Sequence, residues 1–205
     1  MESKRPVISI TSWKARINTV GITIYSLLQY CPHFHIVLTL SKLEFPDTII
    51  PHDLAILQRH KLLEIVWVDN NPKEFKKLEA FKLYPENPCV FVDDDMFYVV
   101  NFVDELYRIY QSNQTSVISY TNTHTKFGCC MACALFPPTV FTPLLDAMNS
   151  NTLLHDDALF PKVFMQHNVN VIGLYDKFPG FFHNEFSPLN GSDNIARWKS
   201  MQQFV

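Results

Sequence analysis

Glycine is scarce in this 205-residue chain. The five glycines, Gly21, Gly128, Gly173, Gly180 and Gly191, never fall within five residues of one another. Neither a G-x-G-x-x-G dinucleotide loop nor a G-x-x-x-x-G-K-S/T phosphate loop can be written with that set. No G-x-S-x-G elbow and no H-E-x-x-H metal helix is present either. A nucleotide, if bound, must be held by another device.

Charge of one sign is also lacking. Seventeen Lys and Arg stand against twenty Asp and Glu, a formal net charge of −3. Nucleic-acid binders carry a basic excess, so no nucleic-acid partner is expected. Long apolar runs are missing too. The segment after the polar Met1–Arg5 is broken by Lys14 and Arg16, and neither a signal peptide nor a membrane span is expected. The cysteines are few and odd in number: Cys31, Cys89, Cys129, Cys130 and Cys133. A reduced, cytoplasmic setting follows most simply. Cys130-Met131-Ala132-Cys133 has C-x-x-C spacing, yet no second C-x-x-C or H-x3–5-H completes a zinc shell, and buried strand cysteines read as well.

What the chain does have is core material. Hydrophobic residues make up 47%, charged residues 18%, and seventeen Phe raise the aromatic share to 14%, which excludes a disordered chain and suits one domain. Val7–Ile10, His35–Leu40, Leu63–Val68 and Cys89–Val92 read as buried strands. Between them Thr19–Tyr30, Pro51–His60 and Lys73–Leu83 carry helical spacing. Strand and helix in alternation predict βαβ units and a mostly parallel sheet covered on both faces. Further on, the pattern predicts helices at Phe102–Tyr110, Phe141–Met148 and Ala158–Gln166. Strands are expected at Ser116–Tyr120, Met131–Phe136 and Asn170–Ile172, then a loop at Asn190–Ser192 and a helix over Asp193–Met201.

Asp93-Asp94-Asp95 follows the fourth strand directly. Three adjacent carboxylates repel one another and resist desolvation, so a structure that keeps them at a strand end usually supplies a cation. Alternation along an extended segment lets Asp93 and Asp95 face one way and Asp94 the other. Such hard oxygen ligands suit Mg2+ or Mn2+, which bridge to phosphates, and ligands bind at the carboxyl ends of strands in open α/β sheets. The alternative is a solvated acidic turn. A phosphatase with Asp93 as nucleophile would need a D-x-D-x-T/V pattern, and Phe97 in its last position lacks the hydroxyl.

The run Val7-Ile8-Ser9-Ile10-Thr11-Ser12-Trp13-Lys14-Ala15-Arg16-Ile17-Asn18-Thr19-Val20 is followed, in order, by Ile36–Leu40 with Glu44-Phe45-Pro46, Leu63-Glu64-Ile65, Lys76-Lys77-Leu78, Tyr84-Pro85 and Val90–Tyr98. This succession, covering roughly residues 6–172, resembles a family of bacterial GT-A glycosyltransferases of the polysaccharide type, which carry a D-x-D motif. The resemblance implies a single GT-A-like domain over 1–205, with a nucleotide-sugar half (1–100) and an acceptor half (101–205). It implies Asp95 as principal metal ligand, Asp93 on the ribose or sharing the metal, and Asp94 beside the nucleotide. Thr11, Ser12 and Arg16 would hold the nucleotide, Asp69 would read the base, and Lys77 would meet base or pyrophosphate. From its residue type alone, Arg16 suits phosphate or solvent equally, and Lys73, Lys76 and Lys77 read as one basic helix face in water.

His155-Asp156-Asp157 opens a helix, where acidic residues meet the positive dipole end. The family resembled has an acidic pair here, which implies that one of the two is the general base: Asp157 with Asp156 as a positioning group is preferred, and the reverse order is also defensible. His183 would be a third metal ligand, or else a loop histidine. The expected activity is metal-dependent transfer, with inversion, from a nucleoside-diphosphate sugar (a uridine one) to a glycan or lipid-linked acceptor. The other reading is a binding module of the same fold that has lost catalysis. Peripheral contact with the cytoplasmic membrane face stays compatible with both. Against the family, only Gly128 remains of a glycine-rich strand before Pro137-Pro138, so the acceptor pocket is expected to differ in shape.

Overall fold

The computed structural model describes residues 4–120, 133–150, 156–174 and 180–182; within these, the side chains of Asp157, Phe181 and Phe182 are not described. The strands are β1 (Val7–Thr11), β2 (His35–Ser41), β3 (Glu64–Val68), β4 (Cys89–Val92), β5 (Met96–Tyr98), β6 (Val117–Tyr120), β7 (Cys133–Phe136), β8 (Val171–Leu174) and β9 (Gly180–Phe182). The helices are α1 (Val20–Tyr30), α2 (His52–Arg59), α3 (Glu79–Leu83), α4 (Phe102–Gln111), α5 (Phe141–Ser150) and α6 (Asp156–Gln166).

Seven strands form one sheet in the order β3-β2-β1-β4-β7-β6-β8. Strands β3, β2, β1 and β4 are parallel neighbours; β7 runs against both β4 and β6, and β8 returns parallel to β6. Only β7 is reversed, so the expected α/β fold with a mostly parallel central sheet is the one observed. Strands β5 and β9 pair antiparallel in a separate two-stranded ribbon. The ribbon depends on Gly180, where a Cβ would lie 2.5 Å from the Phe97 carbonyl oxygen.

Alternation along the strands sorts the core into two layers. Ile8 and Ile10, Val90 and Val92 face an aliphatic layer with Ile24, Leu27, Leu54, Leu57, Val103 and Leu106 from α1, α2 and α4. Phe91 and Phe136 face the other way, into an aromatic layer with Phe75, Phe81, Phe160 and Phe164. The Phe91 and Phe136 rings sit 4.4 Å apart, and Phe136 meets Phe160 edge-on at 6.0 Å. Offset and edge contacts of this kind add to area burial.

Two elements differ from expectation. Lys73–Leu83 is a 3-10 segment over Lys73–Leu78 that becomes α-helical only at Glu79. Pro72 precedes it, and Lys73 has a positive φ of 54°, an entry that tightens the first turns. Helix α6 starts two residues earlier than its apolar periodicity, at Asp156, and contains Pro161. Strand β9 has no expectation to compare with. The expected loop at 190–192 and helix over 193–201 lie outside the described residues. No helix among the described residues is long and apolar enough to cross a membrane.

Candidate functional site

The carboxyl ends of β1 and β4 lie side by side, with Ile10 opposite Val92. The β1–α1 connector and the acidic triplet therefore leave the sheet at neighbouring points. Asp94 is buried and faces that connector: Ser12 Oγ donates to its Oδ2 at 2.6 Å, and Arg16 Nη1 donates to its Oδ1 at 2.7 Å. The same guanidinium nitrogen is 3.0 Å from Asp95 Oδ2. Arg16 thus bridges Asp94 and Asp95 and is itself buried, so its solvated alternative does not hold. Asp93 accepts from Lys77 Nζ at 2.5 Å instead, so the expected alternation, with Asp93 and Asp95 facing one way and Asp94 the other, is corrected: Asp94 and Asp95 form a turn and not an extended segment, and they share Arg16.

Lys77 comes from the 3-10 segment and is almost wholly buried. Ser9 Oγ on β1 donates to its carbonyl at 2.8 Å, and its ammonium also lies 3.9 Å from Asp156 Oδ2 at the start of α6. Asp156 is buried as well. Lys76 beside it is buried and paired with Glu44 at 3.1 Å. The reading of a basic helix face in water is therefore corrected for Lys76 and Lys77. A 3-10 turn eclipses residues three apart instead of drawing one long helical stripe, and here both ammonium groups turn inward to carboxylates.

Among the described residues the edge brings together four carboxylates (Asp93, Asp94, Asp95 and Asp156) and two cations, Arg16 and Lys77. The crowding registers at Asp95. Burial pushes its carboxyl up to about 6, the Asp93 charge adds to that, Arg16 opposes it, and Asp94 adds again. Hard oxygen donors with negative charge in surplus suit a divalent cation. Asp93 and Asp95 are the pair whose repulsion such an ion would relieve. Taken alone, the described residues hold no group of three or more His, Cys, Asp or Glu placed to bind a metal. His183 and the Asp157 side chain lie outside the described residues, as do Cys129 and Cys130.

Other expected residues are spread along the same edge. Thr11 ends β1 and donates its hydroxyl to the Thr39 carbonyl at 2.9 Å. Asp69 follows β3; its side chain is 90% exposed and meets Lys42 at 2.8 Å, three strand positions away from the acidic triplet. Cys31, Cys89 and Cys133 are buried free thiols. Burial pushes the Cys31 thiol up to about 12 and raises Cys89 as well, which leaves them unreactive.

Sequence reasoning missed the groups that shape the loop from behind. Thr23 Oγ1 donates to the Asp94 carbonyl at 3.0 Å, and the Tyr98 amide donates to Ser26 Oγ at 3.1 Å. Thr23 and Ser26 are buried polar residues three apart on α1, a break in an apolar face that marks where a helix holds a loop. Trp13 was missed too. Its buried Nε1 has no partner among the described residues, and it stands next to Ser12 as a donor that a ligand could use.

Among the described residues, helices cover both faces of a sheet with six strands in one direction and a single reversed one, a mixed α/β fold with a mostly parallel central sheet. Among solved structures the chain is similar to S. aureus TarS, residues 1–349. The TM-score is 0.60 and the identity 12%, over 87% of this chain and 60% of that one. The likeness is one of fold, and the chain spans three fifths of the length of that structure. No family model matches the chain, and no curated protein matches it.

Proposed function

We propose that the chain is a glycosyltransferase that moves a sugar, with inversion, from a uridine diphosphate sugar to a glycan or lipid-linked acceptor. The observation that carries this reading is the surplus of carboxylates over cations at the carboxyl edge of β1 and β4. TarS, a protein of similar fold, is a glycosyltransferase; the likeness is of fold, and the class is carried to this chain as part of the proposal.

Asp95 and Asp93 would hold Mn2+ or Mg2+, with His183 as a third ligand. The ion would offset the charge that develops on the leaving diphosphate. Arg16 keeps Asp94 and Asp95 apart from solvent and oriented, and Ser12 fixes Asp94, so these residues shape the nucleotide site by holding the triplet. Thr11 and Trp13 line the same connector, and Asp69 would read the base. Asp157 would take the proton from the acceptor hydroxyl as it attacks the anomeric carbon, with Asp156 held beside it by Lys77.

Hydrolysis of UDP-sugars in the presence of Mn2+, read by UDP release, tests the proposal. Asp157→Asn should lower the rate by about a thousandfold, the scale of general-base catalysis, and leave UDP binding intact. UDP release unaffected by Asp157→Asn removes the assigned base. A protein that binds UDP with Mn2+ but turns over no donor is a binding module.

A further inference from the structure

Lys77 touches both acidic centres of the edge. Its buried ammonium lies 2.5 Å from Asp93 Oδ1, on the loop after β4, and 3.9 Å from Asp156 Oδ2, on the first residue of α6. The root of the side chain is pinned, because Ser9 Oγ holds the Lys77 carbonyl at 2.8 Å. An unbranched stem with three rotatable donors can exchange such partners through a small swing of Nζ, which a guanidinium fork cannot do. The two pairs are unequal: Asp93 has the short contact and Asp156 the long one. Anything that satisfies Asp93 from another side therefore frees the ammonium for a carboxylate already within ion-pair range.

We infer that Lys77 is a displaceable counter-ion, which neutralises Asp93 when no divalent cation is bound and transfers to Asp156 when one arrives. This rests on the reading of Asp93 and Asp95 as cation ligands. A buried ammonium and a dication a few ångströms apart repel strongly, so both cannot stay on Asp93. The nearest described carboxylate that can receive the ammonium stands at the head of α6, next to the proposed general base Asp157. Loading of the donor half would thus fix the first turn of α6 in the acceptor half. Lys77 is a positioning residue in this scheme, acting through Asp156.

The test uses the full chain and Mn2+ alone, with calorimetric titration and crystals soaked in MnCl2. Lys77→Met should bind Mn2+ roughly tenfold more tightly than the wild type, because a positive charge competing for Asp93 is gone. A lysine that merely braces the loop predicts the reverse, since its loss would loosen the ligands. Asp156→Asn should bind Mn2+ severalfold more weakly, the ammonium having lost its second seat. In the soaked wild-type crystal, Nζ should lie nearer Asp156 than Asp93. Unchanged or weaker Mn2+ binding by Lys77→Met, or an ammonium still on Asp93 beside bound Mn2+, overturns the inference. Should Lys77→Met not fold, the soaked crystal and Asp156→Asn decide, and unchanged or tighter binding by the latter counts against it. Mn2+ binding with Lys77 unmoved removes only the counter-ion, whereas a wild type that binds no Mn2+ removes the cation reading together with it.

Discussion

Both ends of the sheet hold carboxylate clusters with hydrogen-bonding partners, one acid at the amino end and four at the carboxyl end, and they differ in how the charge closes. At the amino end, Glu64 on β3 accepts from the Tyr84 hydroxyl at 2.6 Å and meets His35 Nε2 on β2 at 2.6 Å, while Tyr84 Oη is 3.0 Å from the same ring nitrogen. Burial pushes the Glu64 carboxyl up, but the Tyr84 and His35 hydrogen bonds outweigh it and hold the group below its ordinary value. One carboxylate there has two partners. At the carboxyl end four carboxylates share two cations, and Asp95 is raised to about 6. The first cluster is finished by the chain itself. Among the described residues the second holds more carboxylates than cations, and that imbalance is what separates a functional candidate from a structural tie.

The largest expected effect comes from supplying that charge. UDP with Mn2+ at about a hundred times the dissociation constant should stabilise the wild type by about 2.7 kcal/mol, and Asp95→Ala should lose this gain while Tyr84→Phe keeps it. Differential scanning calorimetry with and without ligand checks the pair. A shift that survives Asp95→Ala erases the distinction between the two ends.

Gly180→Ala breaks the comparison from one side only. The added methyl would meet the Phe97 backbone carbonyl at 2.5 Å, so β5 and β9 must part just after Asp95. A loss of about 2 kcal/mol is expected, within the usual scale for overpacking, along with weaker Mn2+ binding. The Glu64 titration, followed by NMR, should not move.

A third and smaller effect sharpens the contrast through pH. The Asp95 carboxyl titrates near 6 in the fold against 3.8 for the ordinary group, so the fold favours its protonated form. That preference stabilises the metal-free protein fully below about 3.8 and is lost as pH rises through about 6. Asp95→Asn should therefore be more stable than the metal-free wild type at pH 7.5, by ~1–2 kcal/mol. The difference should vanish by about pH 4 in urea titrations. An Asp95→Asn variant that is less stable at pH 7.5 would show that the Arg16 ion pair outweighs the crowding.

Much of this arrangement was legible in the sequence because period and punctuation are local signals. Strand β4 was read to the residue, and the first three strands and α1 and α2 to within one or two, since their apolar runs end at prolines or polar turns. The acidic triplet announced a site for the same reason: three adjacent carboxylates are costly wherever they fold. Partner choice was not legible. Nothing local to Arg16 says that it bridges Asp94 and Asp95, 78 residues or more away along the chain, and nothing local to Lys77 says that it turns inward. Those contacts depend on β1 pairing with β4 and on a 3-10 turn replacing a helix, which only the assembled sheet decides. Thr23 and Ser26 went unread for the same reason: their buried hydroxyls are polar breaks in an apolar helix face, and what they hold lies 70 residues or more further along the chain.

The smallest expected effect tests the finished cluster. Tyr84→Phe removes one donor to Glu64 and leaves the His35 contact, so about 1 kcal/mol of stability should be lost at pH 7, the net value of one partly buried hydrogen bond. Because Glu64 is held below its ordinary 4.5, its contribution is present above that value and fades as pH falls through the depressed one. Tyr84→Phe should thus raise the Glu64 titration midpoint and lie closest to the wild type in the most acidic samples. Chemical denaturation between pH 3 and pH 7, with the Glu64 carboxyl followed by NMR, reads both quantities. A variant whose deficit grows on acidification would mean that Tyr84 stabilises the protonated acid, and the amino end would then resemble the carboxyl end instead of opposing it.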